Sequence, residues 1–189
     1  MPRAPLAVTM GEPGGVGPEL IVQSWADHAR TAQSPFYCYC DPDFLSNRLS
    51  DAGIAVPLRI IQTASEAIAL FAVGIPVIPL ARRVVSGQAG YPATEDAAAV
   101  LESIERAVAD VLTGQAGGVV TSPVQKETLY DAGFAFPGHT EFLGDLAERN
   151  GLNARPVMMI AAEELRVVPV TIHVPISAVP GLLTTELIV

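Results

Sequence analysis

A chain of 189 residues, half of them hydrophobic and 16% charged, carries enough apolar material to bury about 70% of its unfolded surface, which excludes a disordered protein. Eleven basic against twenty acidic residues leave a net charge of −9, which repels a phosphate backbone and excludes general nucleic-acid binding. Lys126 is the only lysine, so there is no polybasic stretch for an anionic membrane, and the longest apolar run, Ala67 to Ala81, is broken by Gly74, Pro76 and Pro79 and is too short for ~30 Å of hydrocarbon.

Met1 to Pro5 leads directly into an apolar segment without a signal-peptide core or cleavage site, so a cytoplasmic location is expected. Pro5 to Met10 reads as a buried strand, and the glycines and prolines from Gly11 to Pro18 form a turn that opens a helix around Glu19 to Ala29. Ser34 to Cys40 is a second strand. Asp41 and Pro42 then supply the N-cap and first turn of a helix ending near Gly53. Cys38 and Cys40 alternate around Tyr39 on one strand face, poorly placed for a disulfide, and read as reduced structural thiols. Leu58 to Gln62 is a strand, Ser65 to Phe71 a short helix, and Ile75 to Leu80 a strand that Pro76 and Pro79 push towards a sheet edge.

Arg82 to Pro92 is a polar, glycine-bearing loop. Thr94 then caps a long helix through about Leu112, with Glu95 and Asp96 at its positive end. Gly117 to Thr121 reads as a strand, Val124 to Asp131 as a helix stopped at Gly133, and Glu141 to Asn150 as a helix stopped at Gly151. Pro156 to Ala161 and Leu165 to His173 are strands parted at Glu163-Glu164, and Thr184 to Val189 reads as the N-cap and first turn of a helix. This alternation predicts the α/β class, a three-layer α/β/α structure around a mostly parallel sheet, because parallel neighbours need crossovers that are usually helical.

Three features carry chemistry. The loop GEPGGVGPE, Gly11 to Glu19, joins a strand to a helix, and its glycines serve either a tight turn or close approach to an anion or cofactor. It is not a dinucleotide fingerprint, since Leu20 replaces the third glycine, and not a P-loop, since no lysine ends it. Thr121, Ser122, Gln125 and Lys126 follow a strand, where open α/β sheets bind ligands; the Lys126 ammonium reads either as a solvated charge or as a partner for a phosphate or carboxylate and a proton donor. His28, near the end of the first helix, reads as structural, whereas His139 and His173 sit at element ends and could share a divalent cation, although no HxxxH or CxxC spacing supports it.

GEPGGVGPE, TSPVQK, AGFAFPGHTEFL and EELRVVPVTIHVPI, in this order, resemble the 4-phosphohydroxythreonine dehydrogenase family of pyridoxal phosphate biosynthesis, also written 4-hydroxythreonine-4-phosphate dehydrogenase or PdxA. The resemblance implies an isocitrate/isopropylmalate dehydrogenase-like fold with an N-terminal α/β lobe over residues 1–123 and the beginning of a second, incomplete lobe over 124–189. It implies NAD- or NADP-dependent oxidation of the secondary hydroxyl of 4-phosphohydroxy-L-threonine and decarboxylation, assisted by a divalent cation (Zn, Mg, Co or Mn) at His139 and His173. Gln125 and Lys126 match the substrate-contacting pair, with Lys126 as the catalytic candidate and no cofactor-binding residue assigned. Family members commonly carry His or Asn at the Gln125 position, which opens the alternative of another small phosphorylated hydroxy acid. A family-length chain continues past Val189 to a third metal histidine and much of the nucleotide site, so a truncated chain, active or a non-catalytic remnant, is expected. The family pattern further implies a homodimer, with no nucleic-acid or membrane partner.

Overall fold

Five short apolar strands lie side by side, all parallel, in the order β3-β4-β2-β1-β5. In this computed structural model the described residues are 4–31, 33–153, 156–172 and 174–188. The chain divides into two compact units, Met1–Leu152 and Asn153–Val189. Of residues 124–189, which the resemblance implies as the beginning of a second lobe, 124–152 fall in the first unit, where Leu129, Phe142 and Leu146 join the hydrophobic core.

The first unit runs β1 (Leu6–Thr9), α1 (Gly17–Ala26), α2 (His28–Thr31), β2 (Phe36–Cys40), α3 (Pro42–Asp51), β3 (Leu58–Ile60), α4 (Ala64–Leu70), β4 (Ile75–Pro79), α5 (Ala97–Leu112), β5 (Val119–Val120), α6 (Lys126–Asp131) and α7 (His139–Arg149). The strands step away from β1 through β2, whereas β3 to β4 and β4 to β5 step back. With right-handed crossovers this puts α1 and α3 on one face and α4 and α5 on the other. Side chains follow the pleat: Tyr37 and Tyr39 donate hydrogen bonds to Asp110 of α5, the latter at 2.7 Å, while Leu6, Val8 and Phe36 face Leu20 and Ile21 of α1. All of β2 is buried, as a central strand covered on both faces must be. Cys38 and Cys40 are free and buried.

Two local expectations change. β4 is interior, because neither proline removes a ladder bond that matters. Val77 O accepts Ile61 N at 3.0 Å on the β3 side, so the missing donor of Pro76 points to the start of the β2 ladder and that of Pro79 lies past the end of β3. Thr94 does not cap the long helix. Thr94–Asp96 form a 3-10 turn, α5 starts at Ala97, and the Asp96 carboxylate instead accepts the backbone N–H of Val85, Ser86 and Gly87 at 2.6, 3.2 and 3.0 Å. Asp41 caps α3 as expected, accepting Asp43 N at 3.1 Å.

In the second unit, β6 (Ile160–Ala161) and β7 (Arg166–Val167) pair antiparallel across the Glu163-Glu164 turn, which Ala162 N closes on Leu165 O at 2.7 Å. These strands are exposed and shorter than expected, since a two-stranded ribbon has no second layer to bury either face. Val179–Leu182 (α8) and Thr185–Ile188 (α9) follow, with Thr184 Oγ1 accepting Leu187 N at 3.2 Å. Among the described residues no helix is long and apolar enough to cross a membrane.

Candidate active site

β1 and β5 are adjacent parallel strands, and the chain leaves β1 on one side for β2 and returns on the other for β5. Their carboxyl ends therefore bracket the topological switch point, where open α/β sheets leave a crevice for ligands. The loop after β1 and the segment after β5 meet there: Glu12 N donates to Pro123 O at 2.8 Å and Ser122 N to Thr9 Oγ1 at 3.0 Å. Gly11 has φ 75°, and a Cβ on it would stand 2.6 Å from the Ser122 Cβ and 2.8 Å from Pro123 O, so any other residue would force the two segments apart. A Cβ on Gly14 would meet the Pro92 nitrogen at 2.7 Å, which lets the 82–92 loop close over GEPGG with Gly90 N bonded to Gly14 O at 2.8 Å.

Buried charges hold this arrangement. Arg48 of α3 is 9% exposed and donates to Glu19 Oε1 at 2.6 Å, Gly15 O at 2.9 Å, and Pro13 O and Gly87 O at 3.4 Å each. It thereby ties the glycine loop to the 82–92 loop. Glu12 is 4% exposed; its Oε1 accepts Gly14 N and its Oε2 the Thr128 hydroxyl, both at 3.3 Å. Burial is the main cause that pushes the Glu12 carboxyl above its ordinary range, and the nearby Asp96 charge pushes it further. Glu12, Arg48, Asp96 and Thr128 were not assigned to the site by sequence reasoning: hydropathy patterning treats the three charged residues as exposed and Thr128 as an ordinary helix residue, Asp96 was read only as a helix-end charge, and only the placement of Glu12 inside the glycine motif pointed to it.

Gln125 precedes α6 and Lys126 opens it, both exposed. His139 opens α7 and comes close to Lys126; the Lys126 Nζ and Glu141 Oε2 stand 3.8 and 3.3 Å from where a Cβ on Gly138 would be. Ile104, Val124, Leu129 and Phe134 complete a cavity of about 20 Å³ beside the imidazole, room for roughly one water. His139 Nε2 is buried and has no hydrogen-bond partner. Desolvation, and secondarily the Lys126 charge, lower the His139 pKa, which keeps the ring neutral with a free lone pair. An orphaned neutral imidazole nitrogen fits one ligand of a divalent cation, although the neighbouring ammonium requires anionic groups to complete such a site. His173, the expected second ligand, lies outside the described residues. Among the described residues, no group of three or more His, Cys, Asp or Glu converges as a metal cluster.

His28 is structural as expected: Nδ1 donates to the Trp25 carbonyl and the ring packs edge-on against Phe71 at 5.0 Å. Two larger recesses bear less on the chemistry. Of the residues singled out from the sequence for chemistry, the cleft of about 870 Å³ beside α3 holds Glu19 at the end of the glycine loop, and its guanidiniums are already paired, Arg83 with Asp41 at 3.1 Å and Arg48 with Glu19. The apolar groove of about 480 Å³ between α1 and the β5 edge reaches Thr121 and Ser122.

The family model for the pyridoxal phosphate biosynthetic protein PdxA matches residues 31–189. The 4-hydroxythreonine-4-phosphate dehydrogenase of Methylorubrum populi is 44% identical over 97% of this chain and 53% of its own length, and that of Bradyrhizobium diazoefficiens is 41% identical over 98% and 55%. The crystal structure of a 4-hydroxythreonine-4-phosphate dehydrogenase from Burkholderia phymatum superimposes with a TM-score of 0.83 at 29% identity, over 98% of this chain and 55% of that one. A terephthalate 1,2-cis-dihydrodiol dehydrogenase from Burkholderia xenovorans shares the fold, with a TM-score of 0.68 at 19% identity. The chain thus spans about half the length of the curated relatives it matches. It belongs to the PdxA family.

Proposed function

We propose that this member of the PdxA family forms part of an enzyme that oxidises the secondary hydroxyl of 4-phosphohydroxy-L-threonine to a ketone, reducing NAD or NADP, and that the resulting β-keto acid then loses CO2. The observation that carries this reading is that Glu12 of the glycine loop bonds to Pro123 and Thr128, in the segment after β5 that carries the chain's one lysine, and that this lysine and a buried, unpartnered imidazole nitrogen line one small cavity. Lys126 Nζ supplies a compact positive charge for the phosphate or carboxylate of the substrate and a proton for the carbon that loses CO2. Gln125 can donate and accept hydrogen bonds to the substrate but cannot exchange a proton near neutral pH. His139, with His173, would hold a divalent cation (Zn, Mg, Co or Mn). When bound, the nicotinamide supplies the electron acceptor and the cation supplies Lewis acidity at the reacting oxygens.

The reading extends to a cytoplasmic homodimer acting on a small phosphorylated substrate. The test is NADH formation from 4-phosphohydroxy-L-threonine and added metal by the chain extended to the length of its curated relatives; no turnover defeats the reading. Gln125, at a position where the family resemblance implies His or Asn, favours a second one: a related phosphorylated hydroxy acid as substrate. A higher kcat/KM for such an acid in the same assay would establish it.

A further inference from the structure

Glu12 takes no part in the reaction proposed above, yet its side chain is 4% exposed and, among the described residues, in no ion pair. A buried carboxyl without hydrogen bonds is costly, and its partners are all on one path. Gly14 N reaches Oε1 at 3.3 Å, Thr128 Oγ1 stands 3.3 Å from Oε2, and the same Thr128 hydroxyl donates to Gln125 O at 2.9 Å. One hydroxyl proton cannot serve both oxygens at full strength. A proton on Glu12 Oε2 would resolve the conflict by donating to Thr128 Oγ1, which then donates to Gln125 O. Desolvation, the largest cause, and the nearby Asp96 charge raise the Glu12 carboxyl, while hydrogen bonds from Gly14, Thr128 and the Gln125 backbone lower it.

We propose that Glu12 is a positioning residue: acting through Thr128, it fixes the Gln125–Lys126 backbone step against the glycine loop, so that Lys126 Nζ is presented to an anionic group of the substrate. The identity of that substrate rests on the functional reading above; the link itself is a property of this chain. A side-chain amide satisfies the same path, because Gln can donate to Thr128 Oγ1 and accept from Gly14 N.

The single lysine makes the link measurable on the chain itself. Isotope-labelled reductive methylation places one NMR reporter on Lys126 beside the separately assignable N-terminal amine. Inorganic phosphate is then titrated into the parent, Glu12→Gln, Glu12→Ala, Thr128→Ser and Thr128→Val. The expected result is a saturable shift of the Lys126 signal in the parent, preserved in Glu12→Gln and Thr128→Ser. In Glu12→Ala and Thr128→Val the free signal moves and phosphate binds about fivefold more weakly, the worth of one hydrogen bond. If Glu12→Ala does not fold, Thr128→Val, close to isosteric at a 9% exposed site, decides. An unchanged Lys126 signal in the Ala and Val variants, or no response of the parent to phosphate, overturns the proposal. In the family-length enzyme the same pair raises KM with kcat held within about threefold, whereas equal loss of kcat in Glu12→Gln and Glu12→Ala would assign the carboxylate to the reacting atoms instead. A parent without turnover defeats the functional reading alone, since the NMR comparison still tests the link.

Discussion

Replacing Arg48 by Met tests whether buried charge, rather than the glycines alone, shapes the crevice. Methionine keeps the unbranched apolar stem but removes donors that reach Glu19 at 2.6 Å, Gly15 O at 2.9 Å, and Pro13 O and Gly87 O at 3.4 Å. The short bond to Gly15 O from a charged donor contributes about 1.5 kcal/mol, the part-exposed pair with Glu19 less, and the two long bonds little, so the expected loss is about 2 kcal/mol. For a chain of this size that lowers Tm by roughly 4–8 °C. Glu19 is 35% exposed, so the ion pair alone should account for under about 1 kcal/mol. A double-mutant cycle with Glu19→Gln, read by urea unfolding, separates that pair from the carbonyl contacts, and amide exchange at Gly14 to Val16 and at Gly90 reports loosening of the two loops. Stability within about 0.5 kcal/mol of the parent, or a coupling to Glu19 that accounts for the whole loss, would refute the idea that Arg48 straps the loops through their carbonyls.

In the family-length protein, His139→Ala should lose bound metal on dialysis and His28→Ala should keep it, because His28 packs on Trp25 and Phe71; equal retention, by elemental analysis, removes His139 as a ligand. Burial pushes the Cys38 thiol up to about 12 and the Cys40 thiol well above its ordinary value, so neither should react with a disulfide reagent at neutral pH until the chain unfolds, and labelling of the native protein would contradict this. The raised Glu12 carboxyl favours folding in its protonated form. Its contribution is fully present below 4.5 and is lost as pH rises through the folded value, so Glu12→Gln should gain stability relative to the parent as pH climbs from about 4 to 8. Urea midpoints whose difference is flat or reversed across that range count against the assignment.

The architecture was legible because burial on a strand and on a helix leaves different periods in the sequence. The apolar runs at Leu6–Thr9, Phe36–Cys40 and Ile75–Pro79 became three adjacent strands, and Gly133 and Gly151, with φ of 91° and 81°, follow the ends of α6 and α7. The misplacement of β4 at an edge came from counting prolines without knowing which way each missing N–H points. That direction is set by register, and register depends on partners distant in the chain. Thr94 failed as a cap for a related reason: local capping chemistry was overridden by the demand of the 82–92 loop for an acceptor, which Asp96 meets with three backbone bonds.

The site divides along the same line. Residues whose type announces chemistry, Lys126 and His139, were singled out from the sequence as candidates, and the fold brings them together from α6 and α7 beside one small cavity. Residues that hold the site in place were not, since Glu12, Arg48 and Asp96 are ordinary charged residues until burial makes each depend on its partners. Their cost is what makes them informative. A carboxylate or guanidinium moved into a core is destabilising unless several hydrogen bonds compensate it. Here the compensating groups are backbone atoms of the GEPGG and 82–92 loops, with Thr128 before the Lys126 segment's first turn is complete. Removing any one of these charges should therefore loosen a loop at the mouth of the β1–β5 crevice before it loosens the sheet, and amide exchange resolves that order: protection lost first in β1 or β2 would mean that the charges support the core and not the site.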